Sequence, residues 1–523
     1  MAAGQEQSVT TRVPGGTREA VAAPGGDTGV HADRGPVLVA LMLSMALVAL
    51  DSTIVATAVP NIVRDLGGFA QFPWLFSIYL LTQAVTVPLY GRFADVIGRK
   101  PVLLLGIGLF VAGSVLSGAA WSMLSLIIFR GLQGIGAGAV LPITITIVGD
   151  LYSVEERGRV QGYMASVWGV SAVLGPTLGG VFSDFLSWRW IFFVNVPVAA
   201  FAVWMLMRHF SERVTRRRHR IDVAGATTLM TGCSLLILGL LEGGTGWAWG
   251  SAQSVLVFAA GGVLLLAFVA VERRAAEPVL PLWVFGRRTL LAGNLASVAI
   301  GAITIGLSSY VPTYAQGVKG TGALLAGFTL AALTVGWPLA STFSGRFYVR
   351  LGFRDTALLG SVFAVVGAVM LAWLRQSSGL WEVAAACFVV GVGLGFSSTS
   401  TIVAVQSVVG WDRRGVVTGT NMFTRSIGSA VGVAVFGAIA NSTLAHRLHH
   451  PPAALAGRLP RSVDTTSLVL GGHPADPRVG AFLRAALFDA THYIFWALVA
   501  VAAAGAVFEL VMPRRTSELV FDA

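Results

Sequence analysis

Runs of about twenty apolar residues recur from Pro36 almost to the end of this 523-residue chain. A run of that length crosses roughly 30 Å of hydrocarbon as a helix rising ~1.5 Å per residue. Lipid offers no partner to a free backbone N–H or C=O, so each run must be helical. Fourteen spans can be drawn: 36–58, 72–92, 101–120, 123–147, 160–183, 189–207, 222–242, 252–271, 289–311, 323–344, 356–374, 380–404, 415–440 and 489–511. With 55% hydrophobic and only 12% charged residues, the chain has too little polar surface for a water-soluble protein of this size. The expected class is an all-α polytopic membrane protein.

Orientation follows from Lys and Arg, which short cytoplasmic loops retain. The two tails and the even-numbered loops hold 25 of them, and the opposite side holds 9. Both termini are therefore expected in the cytoplasm. Arg130 and Arg425 remain, both inside spans. The net charge of +11 is spread over membrane-proximal loops, so it points to anionic lipid headgroups rather than nucleic acid. Cys233 and Cys387 sit in apolar spans, which indicates neither a disulfide framework nor a metal site. Residues 1–35 lack the apolar core of a signal peptide and read as a disordered cytoplasmic tail, with 512–523 as the second tail.

The chain repeats itself. "GRFADVIGRK" from Gly91 matches "GRFYVRLGFR" from Gly345, and "GYMASVWGVSAVLGPTLGGVF" from Gly162 matches "GTNMFTRSIGSAVGVAVFGAI" from Gly419. The offsets are 254 and 257, so spans one to six recur as spans nine to fourteen. Expected units are a six-helix bundle at 36–207, linkers with two inserted helices at 208–288, and a second bundle at 289–511 that includes an external loop at 441–488. Parallel repeats of this kind place substrate near the midplane between the halves.

Four motifs now carry a resemblance. "LDSTIVATAVP" from Leu50, "GRFADVIGRK" from Gly91, "RGLQGIGAG" from Arg130 and "GVSAVLGPTLGG" from Gly169 fall in order on spans one, two to three, four and five. Together they resemble the fourteen-span drug:proton antiporters of the major facilitator superfamily, multidrug efflux transporters, over Leu38 to Met512. The resemblance implies the major facilitator fold, no enzymatic activity, no cofactor, protons as coupling ion, and a monomer. It implies proton coupling at Asp51 and Arg130. It implies a cytoplasmic gate at Gly91, Asp95, Gly98, Arg99 and Lys100, and an antiporter motif at Gly169, Gly175, Pro176, Gly179 and Gly180. In the second repeat Val349 stands in place of Asp95 and Val433 opposite Pro176.

The residues support some of this independently. A carboxylate at mid-bilayer depth costs ~2.5–3.5 kcal/mol on insertion scales, so Asp51 should face the bundle interior. Counting residues puts Asp51 ~8 Å and Arg130 ~12 Å below the external surface, so the two should meet. Low dielectric favours the neutral acid and a nearby cation the anion, which poises such a carboxyl for proton exchange. The alternative is a static buried pair that fixes helix register. Gly91 and Gly98 read as a tight turn with Asp95 facing a helix N-terminus or an arginine, or simply as a positively charged turn. In span five the glycines allow close helix approach and Pro176 favours a kink, whether for gating or for packing. Gln133, Asn421 and Arg425 are possible pathway residues, Arg425 alternatively a helix lock with no evident acidic partner in its half. His446, His449 and His450 read as a solvated loop end rather than a metal site, and Trp247, Trp249 and Glu242 as interfacial.

The first functional reading is proton-driven export of amphipathic or lipophilic compounds. A dedicated exporter of an endogenous metabolite or lipid is the alternative. A membrane enzyme or receptor would need a catalytic cluster or a soluble domain, and no loop supplies either.

Overall fold

The computed structural model describes residues 34–514 except 68–70, 72, 73, 213–221, 244–246, 276, 277, 451, 453, 454 and 456–476. Residues 1–33 of the expected tail and most of the expected loop between 451 and 476 lie outside the described residues. The remainder is helical. The long helices are α1 (Gly35–Leu66), α2 (Trp74–Ile97), α3 (Arg99–Gly118), α4 (Met123–Leu151), α5 (Val154–Phe185), α6 (Trp190–His209, in two pieces), α7 (Val223–Glu242) and α8 (Ala252–Glu272). They continue with α9 (Arg288–Thr313), α10 (Ala323–Leu351), α11 (Phe353–Ala372), α12 (Leu380–Ser407), α13 (Arg414–His449) and α14 (Pro477–Leu510). Thirteen of them are apolar and long enough to cross a membrane. The count of fourteen rests on α2, whose 24 residues suffice in length but whose hydropathy is diluted by Thr82, Gln83, Thr86 and Pro88.

Two apolar cores mark two bundles. One joins Leu41, Val48, Ile107, Phe110 and Val140, and the other Leu307, Leu371, Val390, Phe436 and Phe495. α7 leans across the seam between them, with Leu229, Cys233 and Ile237 on Val85 of α2 and Phe423 of α13.

The repeat is visible as matched helix contacts. A Cβ on Gly134 would sit 2.5 Å from the Tyr79 carbonyl oxygen, and one on Gly391 2.4 Å from that of Leu333. Gly138 meets the Gln83 carbonyl and Gly395 that of Trp337. In each pair the second contact is the first carried over by the offsets in the sequence, so α2 crosses α4 as α10 crosses α12. Small residues here let the backbones approach.

Two expectations need correction. Gly91 lies within α2 rather than in a turn, and the connection to α3 is Gly98 alone, at φ 101°. Backbone groups near the membrane are best satisfied by continuing the helix, so the turn is postponed to the one residue with free left-handed geometry. The described ends of the expected external loop at 441–488 are helix, because α13 runs on to His449 and α14 starts at Pro477. Arg447 and Asp489 bond across these extensions. His446 and His450 stack with ring centroids 4.6 Å apart, and no metal-binding group occurs among the described residues.

Candidate functional site

Asp51 on α1 and Arg130 on α4 touch. Arg130 Nη1 donates to Asp51 Oδ2 at 2.5 Å and to Gln133 Oε1 at 2.7 Å, while Gln133 Nε2 donates to Asp51 Oδ1 at 2.8 Å. Arg130 and Gln133 share one helix face because they are one turn apart. The guanidinium lies 4.2 Å from the centroid of the Tyr79 ring, and its Nε donates to the Leu75 carbonyl. Asp51 and Gln133 are 0% and Arg130 1% exposed. Towards the opposite end of α1, Ile54, Leu75, Leu126 and Phe192 close over the cluster. Asp51 is therefore shut off from solvent in this conformation.

A second polar cluster joins the two bundles at one end of the molecule, here termed the basic face because it carries Arg34, Arg99, Arg157 and Arg414. Asp95 accepts the backbone N–H of Gly415 at 2.9 Å and of Val416 at 2.8 Å, the first turn of α13. Arg99 pairs with Asp95 at 3.1 Å and Asp150 at 2.9 Å, donates to the Trp411 carbonyl, and stacks 3.7 Å from the Trp411 ring centroid. Arg414 reaches Asp150 from the other bundle at 3.1 Å. Lys100 and Arg99 offer their backbone N–H groups to Glu212, each at 2.9 Å, which caps α3. A Cβ on Gly91 would lie 2.6 Å from the Gly415 carbonyl oxygen, and one on Gly158 2.5 Å from Gly345 N, so the bundles meet backbone to backbone. Gln406 Nε2 adds a bond from α12 to the Ile145 carbonyl at 3.2 Å. The basic face is sealed.

The other candidates scatter. In α5, a Cβ on Gly175 would collide with Thr53 Oγ1 and one on Gly169 would press on the Thr334 carbonyl, while Gly180 faces open space and Gly179 is buried. α5 runs through Pro176 as helix. Asn421 is buried between α13 and α9, donating to the Gly293 carbonyl at 3.0 Å. Arg425 Nη2 donates to Ser398 Oγ at 2.6 Å and its head group stands 5.9 Å from the Trp337 ring.

Sequence reasoning missed Asp150, Glu212, Tyr348 and Trp411 in the seal, and Glu509. Glu509 is 0% exposed and accepts from Ser361 and Ser397 rather than from Arg425. Its position two residues from the apparent end of an apolar run gave no sign of burial.

A family model of the major facilitator superfamily matches residues 41–433. The chain is 35% identical over 421 residues to Multidrug resistance protein 3 of Bacillus subtilis (strain 168), covering 80% of this chain and 82% of the relative. It is 32% identical over 505 residues to the multidrug transporter protein MdtP of the same organism, covering 92% and 93%. Its backbone follows the crystal structure of the human organic anion transporter MFSD10 (TETRAN) with a TM-score of 0.59 at 14% identity, over 90% of this chain and 99% of that one. Repeat, fold and relatives agree that this multi-pass membrane protein is a transporter and not an enzyme, and that it belongs to the major facilitator superfamily.

Proposed function

We propose that the chain exports amphipathic and lipophilic compounds from a bacterial cytoplasm in exchange for protons, with the basic face and both termini inside. The positive-inside distribution supports this orientation. Relatives named for multidrug resistance and multidrug transport support the drug class. The observation that carries proton coupling is the Asp51 carboxylate, wholly buried and held by a cation and an amide on one helix face.

In the sealed conformation Arg130 and Gln133 together satisfy the carboxylate. When a proton binds Asp51, the attraction to Arg130 weakens and the guanidinium is left with Gln133 Oε1, the Tyr79 face and the Leu75 carbonyl. That change of partners is the element by which protonation biases the two bundles' arrangement. Drug and proton then exchange without touching one another. Each proton entering contributes ~2.3 kcal/mol per 100 mV of membrane potential. Asp95 and Arg99 act as the cytoplasmic gate, which must open before cargo can enter from inside.

The test is a compound-sensitivity panel in a pump-deficient bacterial host expressing the wild type or Asp51→Asn. Protection by the wild type should vanish with a protonophore, and Asp51→Asn should give none at equal membrane abundance. Protonophore-sensitive protection that survives Asp51→Asn would make the Asp51–Arg130 pair purely structural.

A further inference from the structure

Glu509 has no part in the mechanism above, yet it is buried in a way that a structural carboxylate rarely is. It sits one residue from the end of α14, accepts from Ser361 Oγ of α11 at 2.7 Å on one oxygen, and from Ser397 Oγ of α12 on the other. No arginine, lysine or histidine pairs with it among the described residues. α9 faces it with Ala296, Ala299, Ile300 and Ile303 only. The charges on the surrounding helices stand elsewhere. Arg288, Arg354 and Asp355 are at the basic-face ends of α9 and α11, and Glu382 is at the far end of α12. On α13, Arg414 is engaged by Asp150, Arg425 by Ser398 and Arg447 by Asp489, while Arg478, Arg484 and His492 lie at the far end of α14.

A buried carboxylate without a cation is costly, and where one persists it exchanges its charge for a proton. Two hydroxyls are the partners suited to that exchange. A serine O–H donates to the anion and, by rotating, its oxygen accepts from the neutral acid, so neither protonation state leaves an orphan. A guanidinium could serve only the anion. Beside the carboxyl is a cavity of about 10 Å³, enough for one water. Between it and the basic face lies a small apolar plug of Met512, Ala292 and Ala404 with Phe353.

We propose that Glu509, cradled by Ser361 and Ser397, is a second proton-binding carboxyl, carried by the C-terminal bundle and unloading towards the basic face. α12 links it to the transport cycle. Ser397 holds Glu509, the next residue Ser398 holds Arg425, and Gln406 further along grips the Ile145 carbonyl of the other bundle. Opening the seal breaks the Gln406 contact and frees α12 to move Ser397 away from the carboxyl. The role in transport rests on the antiport reading of Asp51; the protonation itself does not.

The experiment is infrared titration of the purified full chain in liposomes, following the C=O band of protonated carboxyls, with tetraphenylphosphonium efflux driven by a pH gradient as the transport readout. Glu509→Gln should remove one titrating band and lower the protons exchanged per cation by one, and Glu509→Asp should restore both at least in part. If Glu509 only pins helices, Ser361→Ala with Ser397→Ala and Glu509→Gln will lower the melting temperature alike, with no lost band and an unchanged pH profile, and the proposal is overturned. Should Asp51→Asn leave efflux intact while the Glu509 band still titrates, the Asp51 reading fails and the Glu509 assignment stands. A band unchanged in Glu509→Gln removes it whatever Asp51 does.

Discussion

Helices α5 and α13 hold equivalent places in the two repeats, yet their first turns are satisfied in different ways. α5 caps itself: Ser153 accepts from the Glu156 backbone and Glu156 reaches back to Ser153. α13 has no cap of its own at Arg413, and borrows Asp95 from the opposite bundle. The orphan N–H groups of a helix start attract an anion, so the borrowed cap is also the joint that seals the basic face. On the symmetric side, where α10 meets α5, the place of Asp95 is taken by Val349. The contact is made instead by the neighbouring Tyr348, whose phenol accepts the Gly158 N–H at 3.0 Å and donates to the Val154 carbonyl. Equal backbones thus carry one charged joint and one neutral one. The interiors differ likewise, since by the same offset Cys387 and Val390 occupy the places of Arg130 and Gln133, and Val140 that of Ser397.

The largest effect should come from breaking the charged interior of the first bundle. Arg130→Cys writes the second repeat's residue into the first and leaves Asp51 buried with Gln133 alone. Removing one partner of a buried pair costs ~3–5 kcal/mol. We expect a marked loss of thermal stability in detergent, partly recovered in the double variant with Asp51→Asn, since the orphaned charge is then gone. Equal instability of single and double variants would show that Arg130 acts through its contacts to Tyr79 and Leu75 instead.

Next in size is Asp95→Val, which makes the charged joint resemble its counterpart at Val349. Two backbone N–H groups lose a charged acceptor, each such bond being worth ~1.5–3 kcal/mol, and Arg99 keeps Asp150. Spin labels on α2 and α13 at the basic face should report a longer, broader distance distribution than in the wild type. An unchanged distribution would mean that the backbone contacts at Gly91 and Gly158 hold the seal by themselves.

The sequence made much of this legible for a physical reason: span length, alternation of loops and burial cost are one-dimensional quantities. Depth counting brought Asp51 to Arg130, and the offset between "GRFADVIGRK" and "GRFYVRLGFR" related the two halves. What escaped was set by partners distant in the chain. Gly91 was read as a turn because a glycine that serves a helix crossing looks the same as one that serves a bend. Glu212 caps α3 from more than a hundred residues away, and Tyr348 meets Gly158 from 190 residues away. Glu509 is enclosed by Ser361 and Ser397 of two other helices, contacts that no periodicity encodes.

The smallest effect should come from the neutral joint, and it sharpens the comparison most. Tyr348→Phe keeps the ring, which packs on Phe353 with centroids 5.1 Å apart, and removes only the hydroxyl. The Gly158 N–H lies within the self-capped first turns of α5, so its loss of one acceptor is cushioned by the helix around it, at ~0.5–1.5 kcal/mol for a neutral hydrogen bond. Labels on α5 and α10 should therefore widen less than those on α2 and α13 do in Asp95→Val, and drug protection should survive. If instead Tyr348→Phe opens the basic face as far as Asp95→Val, the seal depends equally on both joints, and charge is not what distinguishes the two halves at this surface.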